Sequence, residues 1–519
     1  HIAIAHAPDG PQADSVFALK SELAELLVEA RRNEDAARLL LELARHPEAA
    51  AERAALQARA AIELIRSGHV DEGFGHARAS LRALGVKVSK RRASVLPIIA
   101  WHRLRLAVRG QGFRLRPASE VPARLLERID WCQDLGVVLP MVDTMKGFQV
   151  HNQGLLSALE AGEPARLSRG LAMEAGFRMA IAGGRDPRGR VRRILDTARM
   201  LALASSDERS IGTVDILEGS TRWSAGDWAG CVALTERGVE RLQRRCRGAS
   251  WEVNFGMTHL LDAVSWLGQM KKHLALVTAE LAHARARGDL YAQTIYTVRD
   301  LPTARLVEDR VAEAQACSEA LTGWVNRGFQ VEHMADLYQQ VDVDLYRGDG
   351  AHAFARIEAA WRELSRHQLM SLAPFRVEMT SLLGRALLGA LAASPSEKVR
   401  ASLIKRLVRV AARLRRERPS VRRDVFGAVV LAGAELASGR REAGLEALAQ
   451  GVEAASKSGM RLHEAVMRYW LGHAAGEVGT GRCEEALAWM RSEGFVRPER
   501  YVHVLGPGLA SLSPSTSRP

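Results

Sequence analysis

Residues 61–81 read AIELIRSGHVDEGFGHARASL, and this stretch decides the fold class. Apolar residues recur at helical spacing on both sides of a short turn that contains glycine and aspartate. Glycine suits the residue that ends a helix, and aspartate suits the cap of the helix that follows. Each hairpin of this kind has an apolar face that only a neighbouring hairpin can cover. The stretch therefore predicts a stack of helical hairpins.

The same turn recurs along the chain with a period near forty residues. Gly248, Gly288 and Gly328 are each forty residues from the next. Further turns step by about the same interval: SAGDWAG around Gly226, LGQMKKH around Gly268, LVEDRVAE near Asp309, RGDGAHA around Gly348, SGRREAG at Gly439 and VGTGRCEEA at Gly479. This regularity predicts an all-α fold, an α-solenoid of stacked, tetratricopeptide-like hairpins.

We divide this array into two parts and a tail. Residues 1–205 form the N-terminal part of the predicted solenoid, and residues 206–505 form its C-terminal part. Residues 506–519 lack apolar periodicity, and we expect them to be disordered. The chain begins with His1 rather than Met, so we expect it to be a fragment of a longer protein.

Composition describes an ordinary soluble protein, with 47% hydrophobic and 26% charged residues. The five cysteines are widely scattered and form no C-x-x-C pair, which argues against a disulfide scaffold or a zinc ribbon. Free thiols fit a reducing compartment, so we expect a cytoplasmic protein. No apolar run has the ~20 residues that a membrane span needs, and we expect none.

The stretch GGRDPRGRV, residues 183–191, has the glycine spacing of a phosphate-binding loop. Arg190 and Val191 stand where that loop needs lysine and a hydroxyl residue, and the preceding residues have helical rather than strand spacing. We expect the first glycines to end a helix, with Asp186 as the cap and Pro187 as the first residue of the next helix. The chain is accordingly predicted to bind no nucleotide or other cofactor.

Local patterns also fail to assemble a metal or catalytic site. His463 and Glu464 begin a zinc-protease pattern, but Met467 replaces its second histidine. Asp342 and Asp344 lie about 200° apart around a helix, so they cannot share a substrate. We predict neither metal nor catalytic residues, although an enzyme site assembled between distant hairpins stays open as an alternative.

The best-organised charged segment is LIKRLVRVAARLRRERPSVRR, residues 403–423. One face of the predicted helix is apolar, and a second face carries a ridge of Arg406, Arg409, Arg413 and Arg416. Such a ridge suits an anionic partner, either an acidic or phosphorylated protein or a nucleic acid. The same arginine pattern also fits the solvated outer face of a solenoid helix, and this interpretation is favoured. We therefore expect no nucleic-acid partner. A nucleic-acid-binding helical-repeat module remains the alternative, consistent with the net charge of +13.

The tryptophans occur one or two per hairpin, usually near a turn. They could form an aromatic groove for a ligand, but this distribution favours packing between adjacent hairpins. The residues concerned are Trp223, Trp228, Trp251, Trp266, Trp324, Trp361, Trp470 and Trp489.

Four segments carry a family resemblance: IRSGHVDEGF, LPMVDTMKG, DLYRGDG and WMRSEGFVRPERYVHVLGPG. They resemble the C-terminal tetratricopeptide-like region of large bacterial signalling proteins, in which a Ser/Thr protein kinase and an AAA/STAND-type ATPase precede the helices. The resemblance implies that kinase and phosphate loop lie upstream. No Gly-rich kinase loop, H-R-D or D-F-G occurs in this chain, so no catalytic residue is carried over.

What the resemblance implies for function is a non-catalytic sensor or scaffold module in signal transduction. A partner protein or a small effector would bind along the concave face of the solenoid. The upstream kinase and ATPase domains of the same polypeptide would be its further partners.

Overall fold

The computed structural model describes residues 13–30, 32–50, 52–89, 92–142, 144–322, 331–394 and 396–512. Within these ranges every regular element is a helix and no strand occurs, which confirms the all-α prediction. No helix in the described part combines the length and the apolarity needed to cross a membrane. Two residues of the predicted repeat pattern, Trp324 and Gly328, lie outside the described residues.

The helices follow one another with short connections. The first half contains α1 (Ala13–Glu29), α2 (Asn33–Leu43), α3 (Arg53–Arg66), α4 (Val70–Ala83), α5 (Arg92–Arg109), α6 (Ala123–Val142), α7 (Thr144–Ala161), α8 (Pro164–Ile181), α9 (Arg190–Ser205), α10 (Glu208–Ala225), α11 (Trp228–Arg245), α12 (Ser250–Trp266) and α13 (Met270–Ala286). The second half contains α14 (Leu290–Arg299), α15 (Leu301–Val307), α16 (Val311–Ala316), α17 (Val331–Tyr346), α18 (Gly350–Leu364), α19 (Ala373–Ala392), α20 (Glu397–Arg416), α21 (Val421–Ala437), α22 (Arg441–Ser458), α23 (Arg461–Ala474), α24 (Thr480–Ser492), α25 (Pro498–Leu505) and α26 (Leu509–Leu512).

The stretch 61–81 forms the predicted hairpin from α3 and α4. Gly68 ends the first helix with a φ of 87°, a left-handed conformation that favours glycine. The two helices approach so closely that a Cβ on Gly73 would lie 2.7 Å from the carbonyl oxygen of Ala61. Ile65 and Leu81 are fully buried between them and their neighbours. The hairpin therefore depends on glycine at its turn and at its closest contact.

Helices that follow one another in sequence also pack against one another along the chain. The predicted caps at several turns are confirmed: Asp227, Asp289 and Asp349 each accept a hydrogen bond from a backbone N–H in the first turn of the next helix. Helix α8 packs on both α9 and α10, so this packing continues across residues 205 and 206, where we divided the chain.

The stretch GGRDPRGRV joins α8 to α9. Its first two glycines have φ of 64° and 83° and end α8, as predicted. The predicted start of the next helix is wrong, because α9 begins at Arg190 and Pro187 lies in the preceding turn. Asp186 still serves the helix, since its carboxylate accepts hydrogen bonds from the backbone N–H groups of Arg190 and Arg192. Its geometry is that of a joint between helices.

Helices far apart in sequence meet as well. The Arg422 guanidinium donates to the carbonyl oxygen of Trp223 at 2.9 Å, and the Val496 N–H donates to that of Val307, also at 2.9 Å. The partners in each contact are about 190–200 residues apart. One apolar core consequently extends from Ile65 to Leu509. The chain coils back so that later helices cover earlier ones around a common interior.

The expected disordered tail begins with ordered structure. Residues Leu509–Leu512 form α26, which packs on α19, α21 and α23. Leu509 is 2% exposed and belongs to the main core. Helical structure therefore extends to residue 512, and residues 513–519 lie outside the described part.

Candidate functional site

The four arginines of the predicted ridge lie on α20 in two kinds of surroundings. Arg406 donates two hydrogen bonds to the Glu358 carboxylate, at 2.5 and 2.7 Å, and is held against α18. Arg409, Arg413 and Arg416 are exposed. The ridge thus presents three guanidinium groups to solvent, and its role in binding a partner stays a prediction.

A cavity of about 260 Å³, partly open to solvent, lies between α10 and α12–α15 on one side and α17, α19, α23 and α25 on the other. It exists because the chain coils back, since its walls come from segments as far apart as residues 223 and 505. Aromatic and aliphatic side chains together provide most of the wall area, and polar and titratable side chains lie among them. Mostly apolar walls with convergent polar groups are usual for a small-molecule site. The aromatic residues are Trp223, Phe255, Trp266, Tyr291, Tyr338, Phe375 and Tyr501.

One ion pair in the wall joins α12 to α14. The Arg299 guanidinium donates to Asp262 Oδ2 at 2.5 Å, and the Trp223 indole N–H donates to the same oxygen at 3.1 Å. The side chains of Asp262 and Arg299 keep 19% and 21% of their surfaces accessible. Burial raises the pKa of Asp262, and the neighbouring Arg299 partly offsets this. The pair therefore presents two opposite charges that nearly cancel.

Two further carboxyl groups in the wall are paired with arginines that do not themselves line the cavity. Arg385 donates to Asp342 at 2.8 Å, and Arg422 donates to Glu378 at 2.9 Å. Burial raises the pKa of Asp342 to about 6 and that of Glu378 to about 7, against the lowering effect of the arginines. Asp342 and Asp344 point to different partners, because Asp344 pairs with Arg356 on the neighbouring α18. The two aspartates therefore face different arginines on different helices.

Arg422 joins the distant halves of the wall. Its guanidinium carbon lies 3.9 Å from the ring centre of Trp223, 4.7 Å from that of Trp228 and 5.0 Å from that of Trp266. Cation–π attraction strengthens when the charge is removed from water, and Arg422 is only 3% exposed. These tryptophans pack helices together, as the sequence indicated. They contact one another and also share a contact with the buried Arg422.

Asp300 differs from the other three carboxyl groups because it has no arginine within hydrogen-bonding distance. It occupies the cap position before α15 but makes no capping hydrogen bond, and its Oδ2 has no hydrogen-bond partner. The nearest basic group is His273, whose Nε2 lies 4.0 Å from Asp300 Oδ1. Asp300 is 4% exposed and His273 2%. Burial raises the pKa of Asp300 to about 7 and lowers that of His273 to about 4.

The other histidines of the cavity are also held neutral. Burial lowers the pKa of His259 to about 4 and that of His463 to about 3. His259 donates from Nδ1 to the Phe255 carbonyl at 2.8 Å, so its Nε2 accepts from the Ser220 hydroxyl at 3.1 Å. His463 lies edge-on to Phe426, consistent with the packing role predicted from the incomplete zinc pattern. Across the described residues, no cluster of three or more potential metal ligands occurs.

This constellation can bind and orient a small molecule and can exchange a proton with it near neutral pH. Asp300 and His273 carry the unmet hydrogen-bonding capacity, and the paired residues provide a fixed polar frame. None of Asp262, Asp300 and Glu378 stood out in the sequence. The available signal was a lone acidic residue within an apolar helical face, as in HLLDAVSW for Asp262.

Neither a family model nor a curated protein sequence matches this chain.

Proposed function

We propose that the chain is a non-catalytic sensor module and that a small effector binds in the central cavity. The observation that supports this most directly is a cavity lined partly by aromatic rings, whose walls come from segments as far apart in sequence as residues 223 and 505. A ligand there would contact helices from α10 to α25 at once. It would stabilise one curvature of the stack over another, which is how a ligand shifts a protein between two states.

The finer architecture belongs to the same proposal. The turns near every fortieth residue and the pairwise packing of successive helices support a tetratricopeptide-like α-solenoid. Contacts between residues about 190–200 apart would then mark successive turns of its superhelix. By the resemblance of its turn segments, the module would pass effector binding to upstream kinase and ATPase domains of a bacterial signalling protein in the cytoplasm.

A ligand screen on the purified chain tests the proposal. Compounds that raise the melting temperature of the wild-type chain should lose this effect in Ala335→Phe, which fills the cavity wall. The matched control is Ala401→Phe on the exposed start of α20, where the same ring leaves the cavity open. Stabilisation that survives Ala335→Phe, in a variant with a wild-type circular dichroism spectrum, would place binding elsewhere and contradict the proposal.

A second candidate function is an enzyme that uses the same cavity. The observation that favours it is that two buried titratable groups, Asp300 and His273, lie 4.0 Å apart in the cavity wall, where burial raises the pKa of the carboxyl group to about 7 and keeps the imidazole neutral. Groups of this kind suit general acid–base catalysis at neutral pH. Mass spectrometry of a bound compound after incubation distinguishes the two: an unchanged compound supports the sensor, and a product whose formation requires Asp300 supports the enzyme.

A further inference from the structure

The central cavity contains one more carboxyl group than it has positive partners. Its wall holds Asp262, Asp300, Asp342 and Glu378. Asp262 pairs with Arg299, and the other two paired carboxyl groups are held by arginines of α19 and α21. Asp300 is left over, so the ionised cavity carries an excess negative charge.

The groups around Asp300 do not supply the missing cation. Arg299 lowers the pKa of Asp300 through space, but it makes its hydrogen bond to Asp262, whose own charge acts on Asp300 in the opposite direction. His273 Nε2 lies 4.0 Å from Asp300 Oδ1, too far for a hydrogen bond. The phenol of Tyr296 also interacts with Asp300 electrostatically, but it is neutral because burial raises its pKa. Burial and Arg299 keep the imidazole of His273 neutral at physiological pH. A buried, ionised carboxylate without a counter-charge is costly, so Asp300 either keeps a proton or accepts a cation from outside.

The same walls disfavour an anionic ligand. Each of the three guanidinium groups near the cavity is already hydrogen-bonded to a carboxylate, and the three histidines are neutral. A ligand carboxylate or phosphate would therefore meet Asp300 without gaining a free positive partner. An ammonium group instead gains a counter-ion in Asp300, and its three N–H groups also suit the unpartnered Nδ1 of His273.

The remaining surface describes the rest of the ligand. Phe255, Tyr291, Tyr338 and Phe375 offer apolar area, and the faces of such rings also attract a cation. Resting on the proposed effector-binding function, we infer that the cavity binds an organic amine with an aromatic or apolar body, and that Asp300 is the counter-ion of its ammonium group.

Isothermal titration calorimetry with three matched probes tests this inference: tryptamine, the neutral indole-3-ethanol and the anionic indole-3-propionate. At pH 8 we expect tryptamine to bind the wild-type chain at least tenfold more tightly than the alcohol, and the acid to bind most weakly. Asp300→Asn should lose at least tenfold in affinity for tryptamine while affinity for the alcohol changes less than threefold. Asp196→Asn, at an exposed site on α9, is the matched control and should bind all three as the wild type does.

The pH dependence adds a second readout, in which comparison with Asp300→Asn separates Asp300 from Glu378 and Asp342, whose pKa values are also raised. Tryptamine affinity for the wild-type chain should fall as the pH drops below about 7, because protonation of Asp300 removes the counter-ion. Asp300→Asn should show a smaller fall, because only the other carboxyl groups of the wall still titrate. A circular dichroism melt verifies that the variant is folded, and if it is not, the three-probe ranking with the wild-type chain still decides the outcome.

The outcomes separate the inference from the proposed function. Equal binding of tryptamine and the alcohol, both lost in Ala335→Phe, would overturn the cation inference and leave effector binding in the cavity intact. Tighter binding of the acid would reverse the sign of the inferred charge. If none of the three probes binds, the inference is overturned. The proposal that the cavity is an effector site then also loses the support that amine binding would have given it.

Discussion

Helices α20 and α21 are neighbours in sequence, yet their arginines have opposite surroundings. On α20, Arg409 is exposed, and it lies on the ridge that stands out in the sequence. On α21, Arg422 is 3% exposed, hydrogen-bonded to Glu378 and to the Trp223 carbonyl oxygen, and surrounded by tryptophans. The difference teaches that charge patterning along a helix identifies its outer face, whereas the charges that hold this molecule together are single residues on its inner faces.

Removing the inner charge should have the largest effect. Arg422→Met leaves the buried Glu378 without its partner and two backbone carbonyls without their donor. We expect the free energy of unfolding to fall by about 3–5 kcal/mol, measured by urea denaturation at pH 8. Arg409→Met on the outer ridge is the control, with a change within about 0.5 kcal/mol. Equal effects of the two substitutions would refute the distinction between inner and outer arginines.

The second test concerns the glycines at the joints. Gly184 has a φ of 83°, and a Cβ there would lie 2.0 Å from the Ser224 carbonyl oxygen. Gly248 has a φ of 74° but nothing within 4 Å of its Cβ position. Gly248→Ala should lower the free energy of unfolding by about 1–2 kcal/mol through backbone strain alone. Gly184→Ala should lower it by roughly 2 kcal/mol more, because the backbone at residue 184 must also move away from the Ser224 carbonyl.

Thermal and urea unfolding of both glycine variants measures this difference. If Gly184→Ala is no less stable than Gly248→Ala, the backbone around residue 184 can move away from α10 at little cost. The close contact at Gly184 would then add nothing to the requirement for glycine.

The third test uses pH. Folding raises the pKa of Asp300 from 3.8 to about 7, so the folded chain holds a proton that the unfolded chain releases. Stability from this group is therefore lost as the pH rises from about 4 to about 7. Asp300→Asn removes this loss, and its stability relative to the wild type should increase between pH 5 and pH 8 by on the order of 1–3 kcal/mol.

Denaturant titrations at pH 5 and pH 8 provide the measurement. The histidines of the cavity titrate in both proteins and cancel in the comparison. Asp196→Asn, exposed on α9, should show no such pH-dependent difference. A pH-independent difference for Asp300→Asn would mean that Asp300 is ionised throughout this range.

The smallest effect is expected on the outer ridge. Reversing the charges of Arg409, Arg413 and Arg416 to glutamate should change the unfolding free energy by less than about 1 kcal/mol, since all three are exposed. We also expect neither the wild-type chain nor this variant to bind nucleic acid specifically. Fluorescence anisotropy with a labelled duplex over a series of salt concentrations measures this. A salt-sensitive affinity that these reversals abolish would instead support the nucleic-acid-binding alternative.

The sequence predicted the local structure well and the site poorly. Turn glycines and capping aspartates mark the helix ends because they act through their own backbone and the next three or four residues, as at Gly226 and Asp227. The start of α9 was missed because Asp186 reaches its helix across a turn rather than capping it directly. Asp300 gave no signal, since nothing next to it in sequence indicates that it lacks a partner.

Apolar spacing and turn chemistry in the sequence by themselves determined that this protein is a succession of helices, each packed on its neighbours along the chain. Only the tertiary structure decided that the chain coils back on itself, because this depends on contacts between residues about 190–200 apart, such as Arg422 with Trp223. The same coiling decided which charges were removed from water. Burial then converted ordinary residues such as Asp300 and His273 into a candidate binding site, since the cost of an unpaired charge depends on its surroundings and not on its place in the sequence.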